Sequence, residues 1–193
     1  MMFISGSWLC VFKVARLLLC AVVWLAILAG AFSLATYAST TTGPALPLVG
    51  EGTLRWLGAK VYDARLFAEE IKSTQDLFER AFALELTYAL SLKGQKIAQR
   101  SLEEMQKLRL GTKQDYQRWL EQMVRIFPDV HSGDRIRGVY DPGKSVTFFL
   151  NDQLIGKVDE PRFAHGFFAI WLDPRTSEPK LRQKLLGAFL QAR

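Results

Sequence analysis

The chain has 193 residues, of which 49% are hydrophobic and 23% are charged, and its formal charge is +6. This composition predicts a globular protein and excludes a largely disordered one. The basic residues are scattered among acidic ones, without a basic tract or a nucleic-acid-binding motif, so the sequence also argues against a protein that binds nucleic acid.

The first 38 residues have the order of an export signal. Lys13 and Arg16 supply a positive region, and residues 17–34 follow as an uncharged, mostly apolar run. Thr36-Tyr37-Ala38 has the small-x-small pattern that signal peptidase cleaves, which predicts cleavage after Ala38. An uncleaved membrane anchor is the alternative, because a helix of this run would span about 27 Å, nearly a bilayer core. Either reading places the domain in the periplasm or otherwise outside the cytoplasm, and the leader predicts association with the membrane.

Residues 39–47 predict a linker, and residues 48–193 predict a single domain. The linker is polar and contains proline, which is typical of a connecting segment. Both cysteines, Cys10 and Cys20, lie in the leader. The domain therefore has no disulfide, no thiol nucleophile and no thiolate metal ligand.

Hydrophobic periodicity predicts an antiparallel sheet with helices on one face, the α+β class. Two strands come first, followed by a short helix whose N-cap is Ser73 and by a strand of alternating apolar and polar residues. Two amphipathic helices follow, the first capped by Gly111 and the second ended by Pro128. A three-stranded meander with the turns DPGK and ND precedes two final helices. The predicted strands are 48–58, 59–69, 82–90, 134–140, 145–150 and 153–158, and the predicted helices are 74–80, 94–110, 116–127, 163–172 and 181–191.

Four stretches of this pattern resemble bacterial members of the chalcone isomerase-like superfamily. They are GEGTLRWLGAKVYDARLF, LSLKGQKIAQRSLEEM, GKSVTFFLNDQLIGKV and FAHGFFAIWLDPRTSEPKLRQKLL. Their order carries the resemblance, which extends over about residues 50–187. The resemblance implies an open-faced β-sandwich, in which an antiparallel sheet is covered by a helical layer and a cleft lies between the two. This agrees with the α+β class that the periodicity predicts.

The resemblance also implies which residues line that cleft. The plant enzymes of the superfamily close a chalcone into a flavanone. They use an arginine that favours the phenolate of the substrate, a polar residue on the adjoining strand, and a tyrosine and an asparagine on the helix after an L-x-G-Q segment. In this sequence the arginine matches Arg55 and the strand residue matches Tyr62. The tyrosine and asparagine positions fall on Ile97 and Glu104.

These replacements predict that the chalcone chemistry is lost. Ile97 cannot form a hydrogen bond, and Glu104 would bring negative charge towards a developing oxyanion. An arginine in an apolar pocket still suits a carboxylate, because a buried carboxylate needs a paired cation. Related plant proteins bind fatty acids without catalysis. We therefore predict a non-catalytic protein, without a cofactor, that binds an apolar anionic ligand such as a fatty acid and anchors it through Arg55.

Three alternatives stay open, one of which is a structural role in an envelope complex, for which the sequence offers no test. The first is an isomerase, an intramolecular lyase, that acts on a substrate other than a flavonoid, with Tyr62 as the candidate proton donor. The second is haem binding, since a mitochondrial branch of the superfamily is associated with haem and Tyr62 or Tyr88 could be an axial ligand. The two histidines, His131 and His165, have no partner at metal-ligand spacing, so the sequence predicts no metal site.

Overall fold

A computed structural model describes residues 46–69 and 74–190 of the chain. Within these residues, six strands form one antiparallel sheet in which each strand pairs with the next along the chain. The strands are β1 (Leu48–Trp56), β2 (Ala59–Ala68), β3 (Phe82–Tyr88), β4 (Arg135–Asp141), β5 (Ser145–Leu150) and β6 (Gln153–Val158). The helices are α1 (Thr74–Phe78), α2 (Gly94–Lys107), α3 (Lys113–Ile126), α4 (Pro161–Leu172) and α5 (Pro179–Leu190). The predicted leader, its cleavage point, most of the linker and the predicted cap Ser73 lie outside the described residues.

The predicted α+β class is confirmed, because helices cover one face of the antiparallel sheet. Leu66 of β2 and Phe148 of β5 point towards the helices and are fully buried. Phe163 and Phe168 of α4, the most apolar helix, are fully buried as well. Each such side chain contributes about 1.5–3 kcal/mol to stability through burial. No helix in the described part of the chain is long and apolar enough to cross a bilayer.

Two glycines in β1 allow α5 to lie directly against the face of this edge strand. A Cβ atom at Gly50 would overlap the backbone carbonyl of Lys184, and one at Gly52 would come within 2.7 Å of the Leu181 side chain. Glycine weakens a strand unless another backbone approaches it closely, and that approach is present here. The GEG segment therefore serves to close the helical layer over β1.

The first long helix, α2, ends earlier than its periodicity predicts. It stops at Lys107, and Arg109 takes the left-handed conformation with φ of 57° that commonly follows a helix. We predicted that Gly111 would hold this position. Gly111 instead lies beneath the buried ring of Trp119, where a Cβ atom would come within 2.9 Å of the indole. Close packing, and not helix termination, accounts for this glycine.

The second long helix, α3, begins at Lys113 and not at the predicted Tyr116. Thr112 forms a capping box, in which its side chain accepts the backbone N–H of Asp115 at 3.2 Å and the Asp115 carboxylate accepts the N–H of Thr112 at 2.8 Å. These two bonds satisfy donors that a helix end otherwise leaves unpaired. The remaining elements differ from the prediction by a few residues at their ends, where helices and strands commonly fray.

The opposite face of the sheet carries a row of alternating charges across four strands. Glu51 lies opposite Arg65, Arg65 opposite Glu85, and Glu85 opposite Arg137. The Arg65 and Arg137 guanidinium groups also flank the Phe67 ring, at 5.4 Å and 5.3 Å from its centroid. Opposite charges on neighbouring strands stabilise a sheet. The alternation predicted for β2 thus separates a face covered by helices from a polar face.

Candidate ligand-binding site

A cavity of about 540 Å³ lies between the sheet and the helices, at the end of the sheet that carries the β1–β2 turn. Seven strand residues form its wall on the sheet side: Leu54, Trp56, Val61, Tyr62, Leu86, Tyr88 and Ile136. The volume falls within the range of about 300–1,000 Å³ that is typical of small-molecule sites. The cavity occupies the place where the family resemblance implies a cleft.

Helices α2 and α4 close the other side of the cavity. Ile97 of α2 and Phe167, Ile170 and Trp171 of α4 all line it, and Phe127 joins them from the end of α3. Phe167 and Trp171 are nearly fully buried, and their rings make an edge contact with centroids 5.4 Å apart. Most of the wall is therefore apolar and suits the hydrocarbon part of a ligand.

Tyr62 contributes a hydroxyl group to this apolar wall. Its oxygen accepts a hydrogen bond from Trp171 Nε1 at 2.9 Å. Burial raises the pKa of Tyr62 above its usual value, and the bond from Trp171 opposes that rise only in part. Tyr62 is therefore a protonated phenol at neutral pH, able to donate a hydrogen bond but unable to act as a base.

Tyr88 stands beside Tyr62 on the neighbouring strand. The two rings meet edge to face with centroids 6.0 Å apart. Burial raises the pKa of Tyr88 as well, and the adjacent Tyr62 raises it further. No described residue forms a hydrogen bond with the Tyr88 hydroxyl. The pair thus offers neutral hydroxyl groups, and both tyrosines resist the ionised form that an axial iron ligand needs.

Glu104 of α2 is held in a group of ion pairs at the rim. Its carboxylate lies 2.5 Å from Arg100 Nη2 and 2.9 Å from Lys107 Nζ, and it accepts a hydrogen bond from Ser177 Oγ at 2.5 Å. Burial acts to raise the pKa of Glu104, but the bonds from Ser177 and Lys107 and the charge of Arg100 outweigh it and leave the pKa below its usual value. Glu104 is therefore ionised and neutralised by its partners. The bond to Ser177 also ties α2 to the loop between α4 and α5.

Lys96 and Arg100 place two cations on the rim of the cavity. Both line it, together with the acidic Glu104 and Glu178. Arg100 is paired with Glu104, whereas Lys96 forms no ion pair with any residue that the structure describes. The free ammonium of Lys96 next to an apolar wall is the arrangement that an apolar carboxylate would use.

Comparison with known proteins identifies the family. The family described as chalcone isomerase-like matches residues 32–187. The chain belongs to this family. An uncharacterized protein of Haemophilus influenzae is 30% identical over 139 residues, which cover 72% of this chain and 67% of that protein. The resemblance that the four sequence stretches predicted is thereby confirmed.

A solved structure supports the fold of this chalcone isomerase-like domain. The crystal structure of a fatty-acid binding protein of Arabidopsis thaliana superposes with a TM-score of 0.62 and 16% sequence identity. The match covers 76% of this chain and 89% of that one. At this identity the similarity establishes the shared fold, a sheet under a helical layer.

Arg55 is the one predicted site residue that does not line the cavity of this chalcone isomerase-like domain. Its side chain is exposed, and Nη1 donates a hydrogen bond to the Gly58 carbonyl at 3.2 Å within the β1–β2 turn. Successive side chains of a strand point to opposite faces, and Leu54 already occupies the inward position. The structure therefore places the predicted charge anchor outside the cavity, while Tyr62, Ile97 and Glu104 line it.

Lys96 and Arg100 were not among the predicted site residues, although the sequence contains a signal for them. Lys96, Arg100 and Glu104 are spaced four residues apart on α2, so they form one stripe along the helix. Ile97 and Ser101 lie next to this stripe and face the cavity. Placing Ile97 in the cleft by resemblance therefore also places the stripe at its rim.

The two histidines lie away from this cavity. His131 is exposed in the segment between α3 and β4. His165 lies on the outward side of α4, with its ring 4.4 Å from the Phe78 ring between centroids, and burial there lowers its pKa. Across residues 46–69 and 74–190, no group of three or more histidine, cysteine or acidic side chains is suited to hold a metal ion.

Proposed function

We propose that this chain is an exported, non-catalytic binding protein for an apolar carboxylate, of which a fatty acid is the simplest example. The observation that carries the proposal is a cavity of about 540 Å³ with apolar walls and with Lys96 and Arg100 on its rim. The similar Arabidopsis fold belongs to a protein described as fatty-acid binding, which supports the same class of ligand. Residues 1–38 would direct the domain out of the cytoplasm.

In this proposal the hydrocarbon chain lies against Leu86, Ile97 and Ile136, and the carboxylate meets the rim. Lys96 is unpaired in the described part of the chain, so it can bind an anion without giving up another partner. Arg100 uses Nη2 for Glu104 and lies 3.4 Å from Glu103 through Nη1. A guanidinium has five N–H donors, so Arg100 can contribute a hydrogen bond while it stays paired.

Three placements favour binding over isomerisation. Arg55, the match to the enzymes' oxyanion-stabilising arginine, is exposed and bonded within the β1–β2 turn. Tyr62 remains protonated because burial raises its pKa, so it cannot take a proton from a substrate. Glu104 is ionised and bound by Arg100 and Lys107, so it cannot serve as a proton donor. A site with these groups can hold a ligand but has no positioned pair for proton transfer.

The test is displacement of a fluorescent fatty acid from the full chain by palmitate, measured in solution. Lys96→Gln should weaken binding about fivefold, the effect of losing one partly exposed cation. Arg55→Gln removes the same charge outside the cavity and is the matched control, for which we expect wild-type affinity. Ile97→Trp narrows the cavity and should weaken binding, while thermal melting verifies that the variant folds. Weaker binding in Arg55→Gln with unchanged affinity in Lys96→Gln would contradict the proposed rim.

A further inference from the structure

The tip of the β1–β2 hairpin exposes large apolar side chains beside the cavity. Trp56 is 70% exposed and Leu57 is 88% exposed. Leu90, which is 39% exposed, lines the cavity together with Trp56. An isolated exposed apolar residue is ordinary, but a cluster next to a binding cavity marks an interaction site. We call Trp56 and Leu57 the hairpin tip.

The stability of the fold does not explain Leu57. The hairpin turns through Leu57 and Gly58, which have φ values of 48° and 83°. Such a two-residue turn strongly favours Asn-Gly, because a branched side chain is strained at positive φ. Leu57 also buries almost none of its surface. Leu57 thus adds backbone strain and exposed apolar surface without stabilising the fold. This indicates that its side chain contacts something other than the folded chain itself.

Cations surround the hairpin tip. Arg55 precedes it and donates to the Gly58 carbonyl at 3.2 Å, which holds the turn in shape. Lys60 follows it and pairs with Asp63 at 2.5 Å. From Leu54 to Tyr62 the hairpin contains no acidic residue, and Lys96, which pairs with no described residue, adds a cation at the cavity rim. Glu178 and Glu104 are the acids on that rim, and Glu104 is already neutralised by two cations.

We propose that the hairpin tip docks the domain onto a bilayer that contains anionic lipid. Tryptophan prefers the boundary between headgroups and acyl chains, leucine partitions below it, and flanking cations bind anionic headgroups. Because Trp56 and Leu90 also line the cavity, docking turns the cavity mouth towards the lipid. An acyl ligand then moves between bilayer and cavity without crossing water. Docking itself does not depend on the ligand, but this use of it rests on the proposed binding function.

Trp56 provides a direct readout in the full chain. The full chain is reconstituted in vesicles of phosphatidylcholine alone or with added phosphatidylglycerol, both with brominated acyl chains that quench nearby indoles. The signal lost in Trp56→Phe is the signal of Trp56, because the other tryptophans, two in the leader and two buried in the domain, are common to both proteins. We expect this component to be quenched and blue-shifted in the anionic vesicles, and less so at raised salt.

Leu57→Asn is the decisive variant. Asparagine fits the left-handed turn, so the fold is retained while the apolar tip is lost, and quenching of Trp56 should fall. Lys60→Gln should weaken docking by up to about fivefold, the effect of one cation at an anionic membrane, because the pairing with Asp63 lowers the net charge that Lys60 adds. Leu154→Asn is the matched control, because Leu154 is 65% exposed on β6 and does not line the cavity, and it should dock as the wild type does.

Other outcomes overturn the proposal. An unquenched Trp56 in anionic vesicles, or unchanged quenching in Leu57→Asn, rules out docking through the tip. If native mass spectrometry instead finds a dimer that Leu57→Asn dissociates, while Trp56 stays unquenched, the tip binds a second copy of the chain. The fatty-acid affinity of Leu57→Asn, measured in solution by displacement of the fluorescent fatty acid, tests the two proposals separately. Leu57 does not line the cavity, so this affinity reports on ligand binding alone.

Discussion

Replacing Tyr62 by phenylalanine tests whether its hydroxyl is part of the structure of the site. The substitution removes the acceptor of the bond from Trp171 Nε1 and leaves that donor in a side chain that is only 6% exposed. A buried donor left without a partner costs about 1–3 kcal/mol. The cost should fall at the lower end, since the adjoining cavity can admit a water molecule to the indole. We expect Tyr62→Phe to destabilise the protein by about 1–2 kcal/mol.

Urea unfolding measures this loss, and a double-mutant cycle assigns it to the pair. The cycle combines Tyr62→Phe with Trp171→Phe and should give a coupling energy of about 1 kcal/mol. Tyr88→Phe is the matched control. Its hydroxyl bonds to no residue that the structure describes, so its removal should change stability by less than about 0.5 kcal/mol. Equal stability of Tyr62→Phe and wild type, with zero coupling, would refute the reasoning.

Three further predictions concern the hairpin, a helix start and acid stability. Leu57→Asn should raise the free energy of unfolding by about 1 kcal/mol, because asparagine tolerates the φ of 48° better than leucine; a lower urea midpoint would contradict this. Gly94→Ala should destabilise by about 3 kcal/mol, because its Cβ would overlap the Phe127 carbonyl oxygen, and thermal melting measures the loss. Hydrogen bonds from the Thr112 backbone and side chain hold the pKa of Asp115 at about 2, below the value of about 3.9 in an unfolded chain. The stability that Asp115 contributes is therefore complete above about pH 4 and lost as the pH falls towards 2, and Asp115→Asn should flatten this part of the stability profile.

The order of strands and helices could be predicted because period and turn chemistry agree along the chain. The alternation of β2, with Ala64 and Leu66 inward and Arg65 outward, holds in the structure. The start of α3 was missed because its capping box pairs Thr112 with an aspartate, where glutamate or glutamine is the usual partner. Local signals thus placed the elements but not all of their ends.

The candidate site was predicted less well than the fold, for two different reasons. Arg55 was assigned by resemblance, although Leu54 and Trp56 on either side of it predict that an arginine between them faces the other way. The cavity itself could not be predicted, because its volume depends on how far residues such as Ile97 and Phe167 stand apart across separate helices. Packing between elements that are distant in sequence sets the distance between these residues, and a local sequence pattern contains no information about it.

Because α5 covers β1, the first strand of the domain is completed only when a helix far along the chain has folded onto it. Strands β1 to β3 and strands β4 to β6 pair in chain order through short connections, so each half of the sheet can assemble while the chain is still emerging. The inward face of Gly50 and Gly52, however, meets its cover only when residues 181–185 have been made. Until then this face of the first strand lacks its cover, and surface that is transiently exposed in a nascent chain favours misassembly. Helix α5 is thus the element that completes the cover of the first strand.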